Sequence, residues 1–102
     1  MSFIAVYITN DSKESAQRLA DTLLADRLIA CANIFPISAS YHWMGDIAQE
    51  NEWVALVKTT KTNWIRLKEK VSQIHPYDIP CIMKIDVEAN EAYEQWIRQS
   101  VR

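Results

Sequence analysis

His75, Asp78 and Cys81 fall at i, i+3 and i+6 in the stretch IHPYDIPCI (74–82), which Pro76 and Pro80 stiffen. Imidazole and thiolate together suit copper or zinc better than calcium or magnesium. His75, Asp78 and Cys81 are therefore candidate ligands for copper or another divalent metal ion, although a closed site takes four donors and this loop offers three. Each residue also has a structural alternative. A protonated His75 would cap a helix C-terminus against the dipole. Asp78 would accept from loop amides, and Cys81 would fill a small core position.

A ligand pocket is the other chemistry that these residue types can build. Tyr77 and Asp78 follow a predicted helix end, while Tyr41, Trp43, Glu52 and Lys58 decorate two predicted strands. Apolar walls carrying a few charged groups are the usual form of a small-molecule site. Such a pocket would take a metal ion or a small anionic ligand. Glu52 and Lys58 read equally well as exposed cross-strand decoration. Enzymatic signatures are thinner, since no G-x-S-x-G, P-loop, G-x-G-x-x-G or H-E-x-x-H occurs. A Cys/His nucleophile pair would need the fold to bring His75 to Cys31 or Cys81. The expectation is a binding module, not an enzyme, with no obligatory cofactor.

The net charge of −2, without any long basic run, argues against nucleic-acid or anionic-membrane partners. No segment reads as a signal peptide or as an apolar span of membrane length. Cys31 and Cys81 lie far apart with no C-x-x-C pair, which fits two free thiols in a reducing compartment, the cytoplasm. Four tryptophans and four tyrosines are a heavy aromatic load for 102 residues. Aromatics of that number fit either the core or a surface covered by a partner.

The elements that would carry these residues are legible from periodicity. FIAVYIT (3–9) reads as a covered strand, and Asn10 to Ser12 as a helix cap. Ala16, Leu19, Ala20, Leu23 and Leu24 form one helical stripe ending near Arg27. LIACANIF (28–35) reads as a strand, with Pro36 at its end or at a bulge. Ile37, Ala39, Tyr41 and Trp43 then alternate with polar residues up to a turn at Met44-Gly45-Asp46, and 52–59 returns as a strand. Trp64, Leu67, Val71 and Ile74 form a second helical stripe that Pro76 must end. Residues 81–88 alternate as a strand, and Tyr93, Trp96, Ile97 and Val101 mark a last helix. The order βαββαβ plus a terminal helix predicts one α+β domain over 1–102. Its sheet would be four-stranded, antiparallel and ferredoxin-like, with a long hairpin reaching past the body.

ACAN (30–33), SASYHWMGD (38–46), Glu52, LVKTT (56–60), HPYDIP (75–80) and Tyr93 with Trp96 together resemble the CutA family, named for divalent-cation tolerance. The resemblance covers essentially the whole chain. It implies a homotrimer in which the hairpin packs against neighbouring chains, similar to the PII signalling proteins that bind effectors between subunits. It implies a regulatory part in the response to divalent metals, copper above all, and no catalytic activity. Tyr41, Trp43 and Gly45 match the family's Y-x-W-x-G. Glu52 and Lys58 match its acid and lysine, and His75, Pro76, Tyr77 and Pro80 match its H-P-Y loop. The family pattern carries glutamate where this chain has Asp78 and again where it has Cys81, so a hard carboxylate has become a soft thiol.

Overall fold

The computed structural model describes residues 3–102. Phe3–Asn10 forms β1, Lys13–Ala25 α1, Cys31–Trp43 β2 and Asp46–Thr59 β3. A single 3-10 turn at Lys61–Asn63 leads into α2 (Trp64–Ile74), followed by β4 (Ile82–Val87) and α3 (Glu91–Ser100). The strands lie in the order β2-β3-β1-β4, every neighbour antiparallel. This is the ferredoxin-like α+β sheet that the element order predicts.

Strand alternation sorts the side chains into two layers. Ile4, Val6 and Ile8 of β1 and Ala55 and Val57 of β3 join Leu19 and Leu23 of α1 and Leu67 and Val71 of α2 in one buried cluster. Phe3, Ala5 and Tyr7 point the other way, with Val54, Leu56, Met83 and Ile85 beside them in register. Among the described residues, α3 covers one part of this second face and residues 77–81 cover another. The Tyr93 ring of α3 meets Phe3 edge-on at 5.9 Å, and its hydroxyl meets Cys31 Sγ at 3.4 Å. That contact comes first, and burial second, in pushing the Tyr93 phenol up to about 12. The rest of the face is open, leaving Phe35, Met83 and Ile85 37%, 49% and 44% exposed.

Residues 46–52 of β3 extend past the end of β1 and pair with β2 alone, down to Trp43↔Asp46. The two-stranded arm stretches the chain to 45 × 24 × 22 Å. Its tip has positive φ at both Met44 (49°) and Gly45 (85°), the twist-matched hairpin turn that the chain's one glycine makes possible. β2 runs through Pro36 instead of stopping there. It lies at the sheet edge, where a missing N–H is tolerated.

That strand starts later than the sequence pattern suggests, at Cys31 and not Leu28, because Leu28 closes α1. Leu28 N donates to Leu23 O at 3.0 Å and Arg27 N to Leu24 O at 3.0 Å. Arg27 sits at φ 57°, completing a Schellman cap whose apolar contact is Leu28 on Leu23. A side chain in the left-handed region costs about 1–2 kcal/mol. Arg27→Gly is therefore expected to stabilise the fold by about 0.5–1 kcal/mol, after the extra freedom of an unfolded glycine is subtracted. An unchanged denaturation midpoint would show that Arg27 carries no strain. At the margins of the stripes the pattern overreached: Leu24, Ile74 and Trp96 are 40%, 41% and 45% exposed.

Candidate functional site

Pro76 ends α2 at Ile74, and His75 turns extended as its C-cap (φ −77°, ψ 133°). The imidazole then pins the loop to the sheet. Its Nε2 lies 2.7 Å from the Thr9 carbonyl and its Nδ1 3.2 Å from the Tyr77 amide. These bonds define the tautomer: Nε2–H donates to Thr9 and Nδ1 accepts from Tyr77. The His75 and Tyr77 rings pack edge to face at 4.6 Å. Tyr77 is thereby carried over β3, where its hydroxyl donates to Glu52 Oε2 at 2.8 Å.

Glu52 is only 7% exposed, so this hydrogen bond is its main compensation for leaving water. Burial first, and the Glu52 bond second, hold the Tyr77 phenol well above its ordinary value of 10. Tyr77→Phe strips a buried carboxylate of its donor and is expected to cost about 1.5–3 kcal/mol. The folded state binds the phenol proton more tightly than the unfolded chain. The contribution is therefore complete below pH 10 and is lost as pH climbs above it. Denaturant titrations of wild type and Tyr77→Phe at pH 7 and above 10 check this. The gap between the two proteins should narrow on the alkaline side.

Glu52 and Tyr77 form one end of a groove of about 830 Å³ between the outer arm of the hairpin and the 77–81 loop. Tyr41 and Trp43 of β2 and Asp78 and Cys81 of the loop also line it, as do Asp11 and Glu50. The Tyr41 phenol is raised, first by partial burial and next by Glu50, which it faces. Burial pushes the Cys81 thiol up, and the Glu52 charge adds to this. Its sulfur lies 3.9 Å from the Tyr7 carbonyl, a weak donor contact.

Within one chain this geometry keeps two of the expected residues apart from the rest. His75 does not converge with Asp78 and Cys81 as a ligand set. Both its ring nitrogens are taken by backbone groups, and it borders a separate cleft of about 360 Å³ beside α1. Among the described residues no three His, Cys, Asp or Glu side chains gather closely enough to hold a metal ion. Lys58 is also absent from the groove. Six residues from Glu52 on the same strand, it lies about 20 Å away, where its ammonium donates to Asn33. Of the eight candidates, Tyr41, Trp43, Glu52, Tyr77, Asp78 and Cys81 come together.

Glu50 and Asp11 also line the groove and were missed. Glu50 lies two residues from Glu52 on one strand face, so the period of two could have found it. Asp11 read as part of a helix cap, whereas Ser12 caps α1 by accepting from Ser15 N at 3.0 Å.

The profile of the CutA1 divalent ion tolerance proteins matches residues 4–100. The chain belongs to this family. It is 43% identical over 100 residues to the divalent-cation tolerance protein CutA of Pyrococcus horikoshii, covering 97% of this chain and 98% of that one. The structure of the periplasmic divalent cation tolerance protein CutA from Archaeoglobus fulgidus superposes with a TM-score of 0.93 at 36% identity, each chain fully covered. Protein CutA 1, chloroplastic, of Oryza sativa is 34% identical over 101 residues, 97% of this chain and 57% of its own length. CutA chains are thus similar to this one from the first strand to the last helix. No helix among the described residues is long and apolar enough to cross a membrane.

Proposed function

We propose that this CutA-family chain is a non-enzymatic binding module in the divalent-cation response. It assembles as a trimer through its open sheet face and takes its ligand in the Glu52–Tyr77 groove. The observation that carries this reading is the groove's charge: Asp11, Glu50, Glu52 and Asp78 line it with no lysine or arginine. A cleft of one sign focuses the potential and concentrates ions of the other. Acidity favours a cation over the small anionic ligand that Lys58 would have drawn. Copper or another divalent ion would be drawn to this acidic lining and meet Glu52 or Asp78, with a neighbouring subunit or water supplying the remaining donors. Two free, half-buried thiols support a reducing, cytoplasmic setting.

Titrating the purified protein with copper and zinc salts tests this. Glu52→Gln and Asp78→Asn should weaken the response more than His75→Ala, which removes an anchor of the loop and no charged group of the groove. An affinity that falls with His75→Ala and ignores the two acids would move the site to the other cleft.

A further inference from the structure

The second cavity, on the helix side of the sheet, has the opposite character to the groove. It is the cleft of about 360 Å³ beside α1, at the small end of the range for ligand sites. Ser15, Arg18 and Thr22 line one side, at spacings of three and four that put them on one stripe of α1. Ile74, His75 and Pro76 line the other. The groove is lined by four acids and no arginine or lysine, the cleft by one arginine and no acid.

Arg18 is also uncommitted. Among the described residues its guanidinium makes no hydrogen bond or ion pair. Glu14 and Asp21 are the acids one turn to either side, and Asp21 accepts from Gln17 at 2.9 Å instead. The Ser15 hydroxyl has no partner among the described residues either. Ser15 stands in the first turn of α1, where the helix dipole is positive. Thr22 is already engaged, because its hydroxyl donates to the Arg18 carbonyl at 2.9 Å. The facing wall is apolar. Ile74 ends α2 outside the core, 41% exposed, with Pro76 close behind it. Between them His75 presents a ring whose two nitrogens already serve Thr9 and Tyr77. The C-terminal pole of α2 is also on this side, where it repels a negative group.

We propose that this cleft binds a small aliphatic carboxylate, its head toward α1 and its chain toward the end of α2. The Arg18 guanidinium donates to both carboxylate oxygens, a pairing that its planar fork matches, and the Ser15 hydroxyl donates to one of them. The hydrocarbon chain lies against Ile74 and Pro76 and takes their exposed surface out of water. Inorganic phosphate would meet the same donors but leave that wall wet. An alkylammonium offers the chain with the wrong sign of charge. The cleft lies across the sheet from the open face, so assembly through that face leaves it accessible. It is separate from the groove and does not depend on a cation there.

Amide chemical-shift titrations of the 102-residue protein with butyrate, inorganic phosphate and butylamine in separate runs test this. Butyrate should give saturable shifts concentrated around Ser15, Arg18 and Ile74. Phosphate should bind severalfold more weakly, and butylamine should leave those signals in place. Arg18→Gln, at an exposed helix position, should weaken butyrate by about tenfold or more. Arg27→Gln removes the same charge beyond the other end of α1 and should match wild type. Ile74→Asn should weaken butyrate severalfold and leave phosphate as it was. The comparison of butyrate with butylamine uses the wild-type protein and stands even if a variant fails to fold. No saturation by butyrate, saturation by butylamine as well, or butyrate binding that ignores Arg18 overturns the proposal. Phosphate binding as tight as that of butyrate, with Ile74→Asn silent, overturns the carboxylate class and leaves a bare anion site.

Discussion

Leu67→Ala is expected to lower the unfolding free energy by about 2–5 kcal/mol, a large part of the 5–15 kcal/mol that such a domain has. Leu67 has no exposed surface and lies on the inner side of α2 within the main buried cluster. Truncation removes its transfer energy and also leaves a cavity between α2 and the sheet. Sheet residues such as Val57 cannot close that cavity, because ladders on both sides hold β3. Ile65, two residues earlier and 54% exposed, is the control, and Ile65→Ala should stay within about 0.5 kcal/mol of wild type. Guanidinium titrations at one fixed protein concentration read the difference, because the proposed assembly would make apparent stability depend on concentration. A loss for Leu67→Ala no larger than that of the control would mean that α2 is not part of the cooperative core.

The fold was legible because local and global signals agree. The 3.6-residue stripes on α1 and α2 and the period of two on β1 and β4 each point to the layer where their residues lie. Where the reading slipped, a competing local bond had won. Leu28 has the composition of a strand residue, yet it serves the Schellman cap of α1. Pro36 signals a break, yet at a sheet edge it interrupts nothing. The site was legible in composition and not in geometry. Sequence adjacency put His75 with Asp78 and Cys81, whereas the loop turns the imidazole toward Thr9 and away from both. Glu52 pairs with Tyr77 across 25 residues, a contact that only the sheet register sets up. Spacing along the chain cannot report which backbone carbonyl a ring nitrogen will meet.

The trimer proposed above is expected to fall to single chains of 11.8 kDa on the paired substitution Met83→Glu with Ile85→Glu, read by light scattering during size-exclusion chromatography. Met83 and Ile85 stand on β4, next to Tyr7 and Ala5 in register, in the part of the second sheet face that α3 leaves open. Phe35, Tyr41 and Trp43 extend the same face onto the hairpin arm, each more than a third exposed. Soluble single chains seldom leave a contiguous apolar patch of this kind to water, and a two-stranded arm is marginal unless something covers it. Burying a carboxylate in such an interface costs several kcal/mol unless it finds a cation. On the open face among the described residues, Lys58 is already engaged with Asn33. Lys84, between the two sites, points to the other layer and lies over Trp64 at 5.8 Å. Neither lysine is therefore free to meet the two new acids. Because both positions are solvent-facing in the single chain, the sheet itself should survive, with its circular dichroism unchanged. Leu24→Glu, equally exposed but on the helix side, should leave the mass of the assembly as it was. If the double variant keeps the wild-type mass, the open face is not where the copies meet.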